Sequence, residues 1–250
     1  MSDSTKATVI GAAPEGASDP ASAVLAVREM FSSIAPRYDL LNHLLSFNVD
    51  RLWWRKTARS FASILKRQDA QVLDLCCGTG DMTFALFREA GGSAKILGVD
   101  FSHAMLLRAN EKSAEKSLGW VEADALQLPF PDQQFDLITA AFGFRNLADY
   151  DAGLREMVRM LRPGGECGIL DFGEPRGLIG KLYRVYFKRI LPAVGTVVSG
   201  VKGPYVYLPA SVERFPSPEA MLRRMRSAGF REASWTPYTF GIAGLYRGKR

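Results

Sequence analysis

The ten residues Val72-Leu73-Asp74-Leu75-Cys76-Cys77-Gly78-Thr79-Gly80-Asp81 constrain this chain more than any other stretch. An apolar run ends in an acid, a turn of small residues follows, and a helix-like segment starts at once. That order is a strand, a glycine-rich turn and a helix N-terminus receiving a nucleotide-like ligand. Gly78 and Gly80 reach backbone angles that other residues avoid, and without side chains they let a ligand approach the main chain. As a dinucleotide fingerprint the turn is incomplete. Thr83 stands where G-x-G-x-x-G has its third glycine, and Cys76 and Cys77 crowd the approach a pyrophosphate needs.

The segments that follow repeat the same alternation. Lys95–Asp100 reads as a second strand ending in an acid twenty residues after Gly80, where nucleoside sites place a carboxylate for ribose hydroxyls. Ser102 predicts a helix cap, with the helix running to about Lys116. Gly119–Glu122 reads as a short third strand, and the Asp124-Ala125 pair after it reaches the ligand's base. Residues 134–141 form a fourth strand with Phe142-Gly143-Phe144-Arg145-Asn146 as its polar exit loop. Leu154, Met157, Val158 and Leu161 share one helix face, Pro163-Gly164-Gly165 ends that helix, and 166–171 is a fifth strand. Strands alternating with helices imply an α/β fold with a mostly parallel sheet covered on both faces, and ligands then bind beyond the carboxyl ends of the strands. A phosphate-free donor fits the spaced acids: S-adenosylmethionine, with Gly78, Thr79 and Gly80 at its amino-acid end, Asp100 at its ribose and Asp124 at its adenine. A purely structural strand-turn-helix is the plain alternative.

Residues 1–22, rich in Ala, Ser, Gly, Pro and Asp, read as a disordered leader. Residues 23–66 are aromatic and amphipathic, with Val27, Phe31 and Ile34 at helical spacing, a break at Pro36, and Leu40, Leu41, Leu44 and Leu45 beyond it. This segment is either a packing arm or a helical lid whose polar candidates are Tyr38, Asn42 and His43. The domain proper spans 67–250. Within it, 177–191 predicts an amphipathic helix with a basic stripe of Lys181, Arg184 and Lys188. That stripe is either a solvated face or a contact for an anionic membrane surface. Ser217 and Pro218 start a later helix that stops at Gly229, and 231–247 alternates as a terminal hairpin.

Composition excludes several classes. No run of 18 or more apolar residues exists for a membrane span, and the N-terminus lacks the basic-then-apolar order of a signal peptide. Three cysteines, two adjacent, make no disulfide framework, which points to the reducing cytoplasm; Cys76 and Cys77 read as packing residues. Two histidines and no metal-ligand spacing predict no metal. The net charge of +6 suits an anionic partner. A nucleic-acid methyltransferase would carry an N/D-P-P-Y/F motif after the fourth strand, where FGFRN stands, and no basic-aromatic tract is present. Arg145 cannot be a simple base, with a pKa above about 12, but suits holding a phenolate oxygen or polarising a water. A non-catalytic binding protein of the same fold is the alternative of a different class.

The segments FSSIAPRYDLLN, VLDLCCGTGD, GVDFSHAML, DALQLPFPDQQFD, FGFRN, LRPGG and SPEAMLRRMRSAGF, with Tyr238-Thr239-Phe240-Gly241 in the tail, resemble the ubiquinone/menaquinone biosynthesis C-methyltransferases over nearly nine tenths of the chain. The resemblance implies a class I S-adenosylmethionine-dependent methyltransferase fold and C-methylation of a polyprenylated hydroquinone. Demethylmenaquinol is favoured by the CCGTGD turn, and a methoxy-benzoquinol is the alternative. It implies donor contacts at Asp74, Gly78, Thr79, Gly80, Asp100, Asp124 and Ala125, and substrate-side roles for Tyr38, Arg145 and Asn146. The chain departs from the family at Ala141, where some members have Ser, and at Cys76, which takes the place of a glycine. Peripheral contact with the membrane and a homodimer are compatible with this resemblance.

Overall fold

The computed structural model describes residues 11–12, 19–35, 39, 46, 48–113, 117–173, 175, 177, 180, 183 and 203–250. Its centre is a seven-stranded sheet of β1 (Gln71–Leu75), β2 (Lys95–Asp100), β3 (Gly119–Glu122), β4 (Phe135–Ala141), β5 (Leu161–Phe172), β6 (Glu232–Tyr238) and β7 (Ala243–Lys249). The strands lie in the order β3-β2-β1-β4-β5-β7-β6. The first five run parallel, and β7 inserts antiparallel between β5 and β6. β1 is central, with Leu73 registered against Leu97 on one side and Ile138 on the other. A strand flanked by parallel neighbours and covered on both faces is buried along its length, so Val72, Leu73 and Leu75 lose all solvent contact and the one acid among them, Asp74, has to find hydrogen-bond donors inside the fold.

Period-2 alternation divides these side chains between two cores. Leu73, Leu75 and Ile138 face α6 (Tyr150–Met160) and α8 (Pro218–Ala228), packing with Tyr150, Met157 and Met225. Val72 and Leu137 face the other layer, where α2 (Val49–Ser60), α3 (Ala62–Leu65) and α4 (Asp81–Ala90) bring Trp54, Leu65 and Leu86. The remaining helices are α1 (Pro20–Ile34), α5 (His103–Lys112) and α7 (Gly203–Arg214). α1 opens on a capping box in which Asp19 accepts from the Ser22 N–H at 2.9 Å and Ser22 Oγ accepts from the Asp19 N–H at 3.1 Å. Ahead of it, the Ala12 N–H donates to the Leu147 carbonyl at 2.7 Å. No helix among the described residues is long and apolar enough to cross a membrane.

Three boundaries differ from the sequence expectation. α4 begins at Asp81, because Gly80 turns left-handed (φ 89°) as its cap. α5 ends at Lys112 rather than near Lys116. The fifth strand starts at Leu161, directly after α6, because Leu161 pairs with Phe135 before 162–165 bulge outward and pairing resumes at Glu166. That bulge is tied to the chain end through Gly164 N–H to the Arg250 carbonyl at 3.2 Å and Arg250 N–H to the Gly165 carbonyl at 2.9 Å. The predicted helix over 177–191, with Lys181, Arg184 and Lys188, falls almost wholly outside the described residues.

Candidate active site

The carboxyl ends of β1, β2, β4 and β5 open onto one cavity of about 370 Å3, within the roughly 300–1,000 Å3 of small-molecule sites. Its first half is the turn after β1. Cys76, Gly78 and Gly80 there have φ values of 53°, 55° and 89°, so the main chain coils back on itself beneath the cavity. Asp100, at the end of β2, fixes that coil from the neighbouring strand. Its Oδ2 accepts from the Gly78 N–H at 2.8 Å and its Oδ1 from the Ser102 N–H at 2.9 Å, and burial pushes its carboxyl up to about 6. Asp74 lies below, with no solvent contact. Thr83 and Thr139 hydroxyls donate to its two oxygens at 2.6 and 2.7 Å, and burial outweighs both in pushing it up to about 6. Thr83 thereby has its reason: the missing third glycine is a hydroxyl that satisfies a buried acid.

Thr79 is held through its hydroxyl, which donates to Asp39 Oδ1 at 2.5 Å, while Lys112 Nζ reaches Asp39, Thr79 and Asp81 at 2.8, 3.1 and 3.0 Å. Asp124 stands exposed at the rim, its Oδ1 accepting from the Leu126 N–H at 2.9 Å, and Ala125 is buried beside it. α1 closes this half from above with Val24, Met30, Phe31 and Ile34. It is pinned by a Ser32–Ser102 hydroxyl bond of 2.9 Å and an Arg28–Glu122 ion pair, with His103 Nδ1 2.9 Å from Glu122.

The second half is aromatic. Trp53, Phe142 and Phe172 pack with ring centroids 4.7 to 6.3 Å apart. The exit loop after β4 folds into a single 3-10 turn, Phe144–Asn146, whose arginine is turned inward. Arg145 is only 5% exposed. Its Nη1 pairs with Asp171 Oδ1 at 3.0 Å and also donates to the Phe142 carbonyl, its Nε donates to Ser211 Oγ at 3.3 Å, and its own N–H reaches Asp171 Oδ2 at 3.2 Å. The guanidinium stacks 5.2 Å from the Phe172 ring centroid and lines the cavity. Burial raises the Asp171 carboxyl, with Arg145 opposing. Asn146 Oδ1 accepts from Tyr207 Oη at 3.1 Å at the cavity edge. Tyr38, Asn42 and His43 lie outside the described residues.

Four residues of the site escaped the sequence reading: Asp50 and Asp171, both buried acids, Lys112, and Trp120, whose ring fills the space over Gly98 and Gly80. Asp171 had a signal, since β5 carries an acid near its carboxyl end as β1 and β2 do. The three cysteines are free and Cys77 and Cys167 buried, and burial pushes all three thiols up, away from nucleophilic use. Among the described residues no group of three or more His, Cys, Asp or Glu side chains is placed to hold a metal.

Asp74, Asp100 and Asp124 bring negative charge to the donor half. A phosphate-bearing ligand would be repelled there, whereas a ligand with ammonium and sulfonium charges and a ribose diol is matched. The coiled turn and the apolar side chains of Val99, Met105 and Leu126 line the same cavity. Fold and cavity together define a class I S-adenosylmethionine-dependent methyltransferase. A solved "SAM dependent methyltransferase from Aquifex aeolicus" superposes with a TM-score of 0.57 at 19% identity, covering 78% of this chain and 88% of that one.

The chain belongs to the ubiE/COQ5 methyltransferase family, whose model matches residues 20–250. It is 49% identical over 228 residues to the demethylmenaquinone methyltransferase of Deinococcus radiodurans, covering 90% of this chain and 92% of that one. It is 49% identical to the Thermus thermophilus protein of the same name, covering 88% and 100%. It is 44% identical to the ubiquinone/menaquinone biosynthesis C-methyltransferase UbiE of Geobacter sulfurreducens, covering 90% and 88%.

Proposed function

We propose that the protein methylates a ring carbon of a polyprenylated hydroquinone, converting demethylmenaquinol to menaquinol. One observation carries the reading: a single cavity joins an acid-lined glycine turn to an aromatic chamber walled by a buried arginine. The donor, when bound, supplies an electrophilic methyl group. Gly78, Thr79 and Gly80 receive its amino-acid end through the main chain, Thr79's hydroxyl being engaged by Asp39 and Lys112. Asp100 takes the ribose, Asp124 and Ala125 the adenine, and Asp74 supplies negative field from below.

An aromatic carbon is a weak nucleophile until the neighbouring phenol, with a pKa near 10, loses its proton. Arg145, locked by Asp171, presents a fixed positive charge that favours the phenolate, and Asn146 and Tyr38 hold the same oxygen or a water that takes its proton. Trp53, Phe142 and Phe172 stack the ring and exclude water, so alignment supplies much of the rate. In balance, the ring carbon gains the methyl group, rearomatises by losing its hydrogen as a proton, and the donor leaves as the neutral thioether. The segment 23–66 acts as a lid over the domain 67–250, and the lipid tail brings the enzyme to the membrane surface.

Relative kcat/KM for naphthoquinol and methoxy-benzoquinol acceptors tests the assignment. The expected result is at least a tenfold preference for the naphthoquinol, and the reverse preference would move the protein to ubiquinone chemistry. Donor binding without transfer to either acceptor would make it a non-catalytic binding protein.

A further inference from the structure

We propose that the outer face of α2 and the 239–241 turn form a docking surface for an anionic lipid bilayer, beside the wall of the cavity. Only the identity of the lipid-tailed substrate rests on the function proposed above; the surface stands on its own observations. α2 buries Trp53, Trp54, Thr57 and Ala58 and turns Arg51, Leu52, Arg55 and Lys56 outward. Leu52 is 55% exposed on this basic face. Phe240, on the neighbouring turn, is 77% exposed. Two contacts join the elements: Trp53 Nε1 donates to Thr239 Oγ1 at 2.8 Å, and Lys56 Nζ sits 4.1 Å from the Tyr238 ring centroid. Trp53 and Thr239 also line the cavity, so the surface borders the chamber assigned to the quinol ring.

The turn's backbone is the second observation. Thr239, Phe240 and Gly241 have φ values of 44°, 57° and 90°, three successive left-handed residues of which only the last is a glycine. A large aromatic side chain held in disfavoured geometry and aimed at solvent gains nothing in the isolated protein, and such outliers mark functional positions. Charge selects the partner. Among the described residues Arg51 and Arg55 make no ion pair with an acid, so the face is basic without compensation. Cations at headgroup level beside apolar side chains that enter the acyl boundary is the pattern of an interfacial helix. An aliphatic Leu52 exposed among Arg51, Arg55 and Lys56 suits a bilayer better than a nucleic acid, whose bases need aromatic platforms.

Sedimentation of the full chain with phosphatidylglycerol vesicles, against phosphatidylcholine vesicles, tests this. The parent should bind the anionic vesicles and release as salt shortens the screening length from about 10 Å at 0.1 M to about 3 Å at 1 M. Arg51→Glu with Arg55→Glu should weaken binding by roughly 25-fold or more, since each cation near an anionic surface contributes on the order of fivefold. Phe240→Gly should lose vesicle binding while keeping or raising the melting temperature, because glycine relieves the backbone; a merely structural Phe240 would lower it. All variants should turn over a water-soluble short-chain quinol like the parent, and lose rate on a long-chain quinol embedded in vesicles. Parent-like vesicle binding by both variants overturns the proposal. So does a parent that ignores anionic vesicles but binds a single-stranded RNA oligonucleotide. Failure of the parent on every quinol strikes the function reading instead, and leaves the vesicle comparison to stand.

Discussion

Arg145 shows how one residue serves both stability and chemistry. Arg145 is only 5% exposed and paired with Asp171, which among the described residues takes no hydrogen bond from any other cation. Arg145→Ala therefore strands a buried carboxylate, at a cost of about 3–5 kcal/mol, and reports on folding before chemistry. Arg145→Lys is the sharper probe, since it keeps the charge but cannot span Asp171 and Ser211 together. Turnover should fall on the order of 100-fold, the effect of losing one oriented donor, with donor affinity within threefold. Equal loss of both would reassign Arg145 to donor binding. Asp100 gives a pH prediction. Because burial raises Asp100 and Asp74 to about 6, above an unfolded value near 3.9, their contribution to stability is present below about pH 4 and lost as pH rises through 6. The ribose role proposed for Asp100 makes donor affinity run the other way, since it needs the ionised carboxylate. Calorimetry with S-adenosylhomocysteine should show about tenfold weaker binding at pH 5 than at pH 7, one pH unit below a pKa of 6 being a tenfold loss of the ionised form. Asp100→Asn should bind weakly and lose that slope; an unchanged slope would take the ribose role from Asp100.

At the scale of elements, the turn after β1 and the exit of β4 are built around each other. A Cβ on Gly143 would lie 2.3 Å from the Cβ of Cys76, and Cys76 itself sits at φ 53°. Gly143→Ala should destabilise by about 1–3 kcal/mol through overpacking. Adding Cys76→Gly removes the clashing atom and relieves a left-handed residue, so the double variant should recover most of the loss. Additive melting shifts would show that the two turns are not coupled in this way. The first helix carries a different prediction. α1 supplies cavity wall, and among its described contacts are the buried Ala23, Val27 and Ile34, a hydroxyl pair and an exposed ion pair of small worth, so it belongs nearer the low-stability end of the molecule than the central strands do. Amide exchange over 20–34 should slow on adding S-adenosylhomocysteine, more than over β1 or β4. No change there would remove α1 from the lid role.

For the whole molecule, what local pattern dictates was legible and what distant packing dictates was not. Apolar runs ending in Asp74, Asp100 and the FGFRN loop located the strands, and the parallel order placed their ends together. The terminal hairpin was readable by alternation, but not its insertion beside β5. Arg145 was legible as a site residue from its place after β4, but its burial and its partner were not, because Asp171 is 26 residues away on an adjoining strand end. Asp50 is one charge on a helix otherwise rich in cations, and only the packing of α2 buries it. Trp120 sits in the narrow space over two glycines, which a single strand's spacing cannot announce. Phe240's exposure was equally invisible, since an aromatic near a terminal strand reads as core.

Methyl transfer onto a quinol ring carbon can be observed directly. The direct measurement incubates the purified protein with S-adenosylmethionine and reduced demethylmenaquinone, and follows the acceptor by mass spectrometry. The acceptor should come out heavier by one methylene, substituted on ring carbon, with one S-adenosylhomocysteine formed per product. Recovery of unmodified acceptor under conditions where the donor binds, or methylation on oxygen instead of carbon, would contradict the proposed transfer.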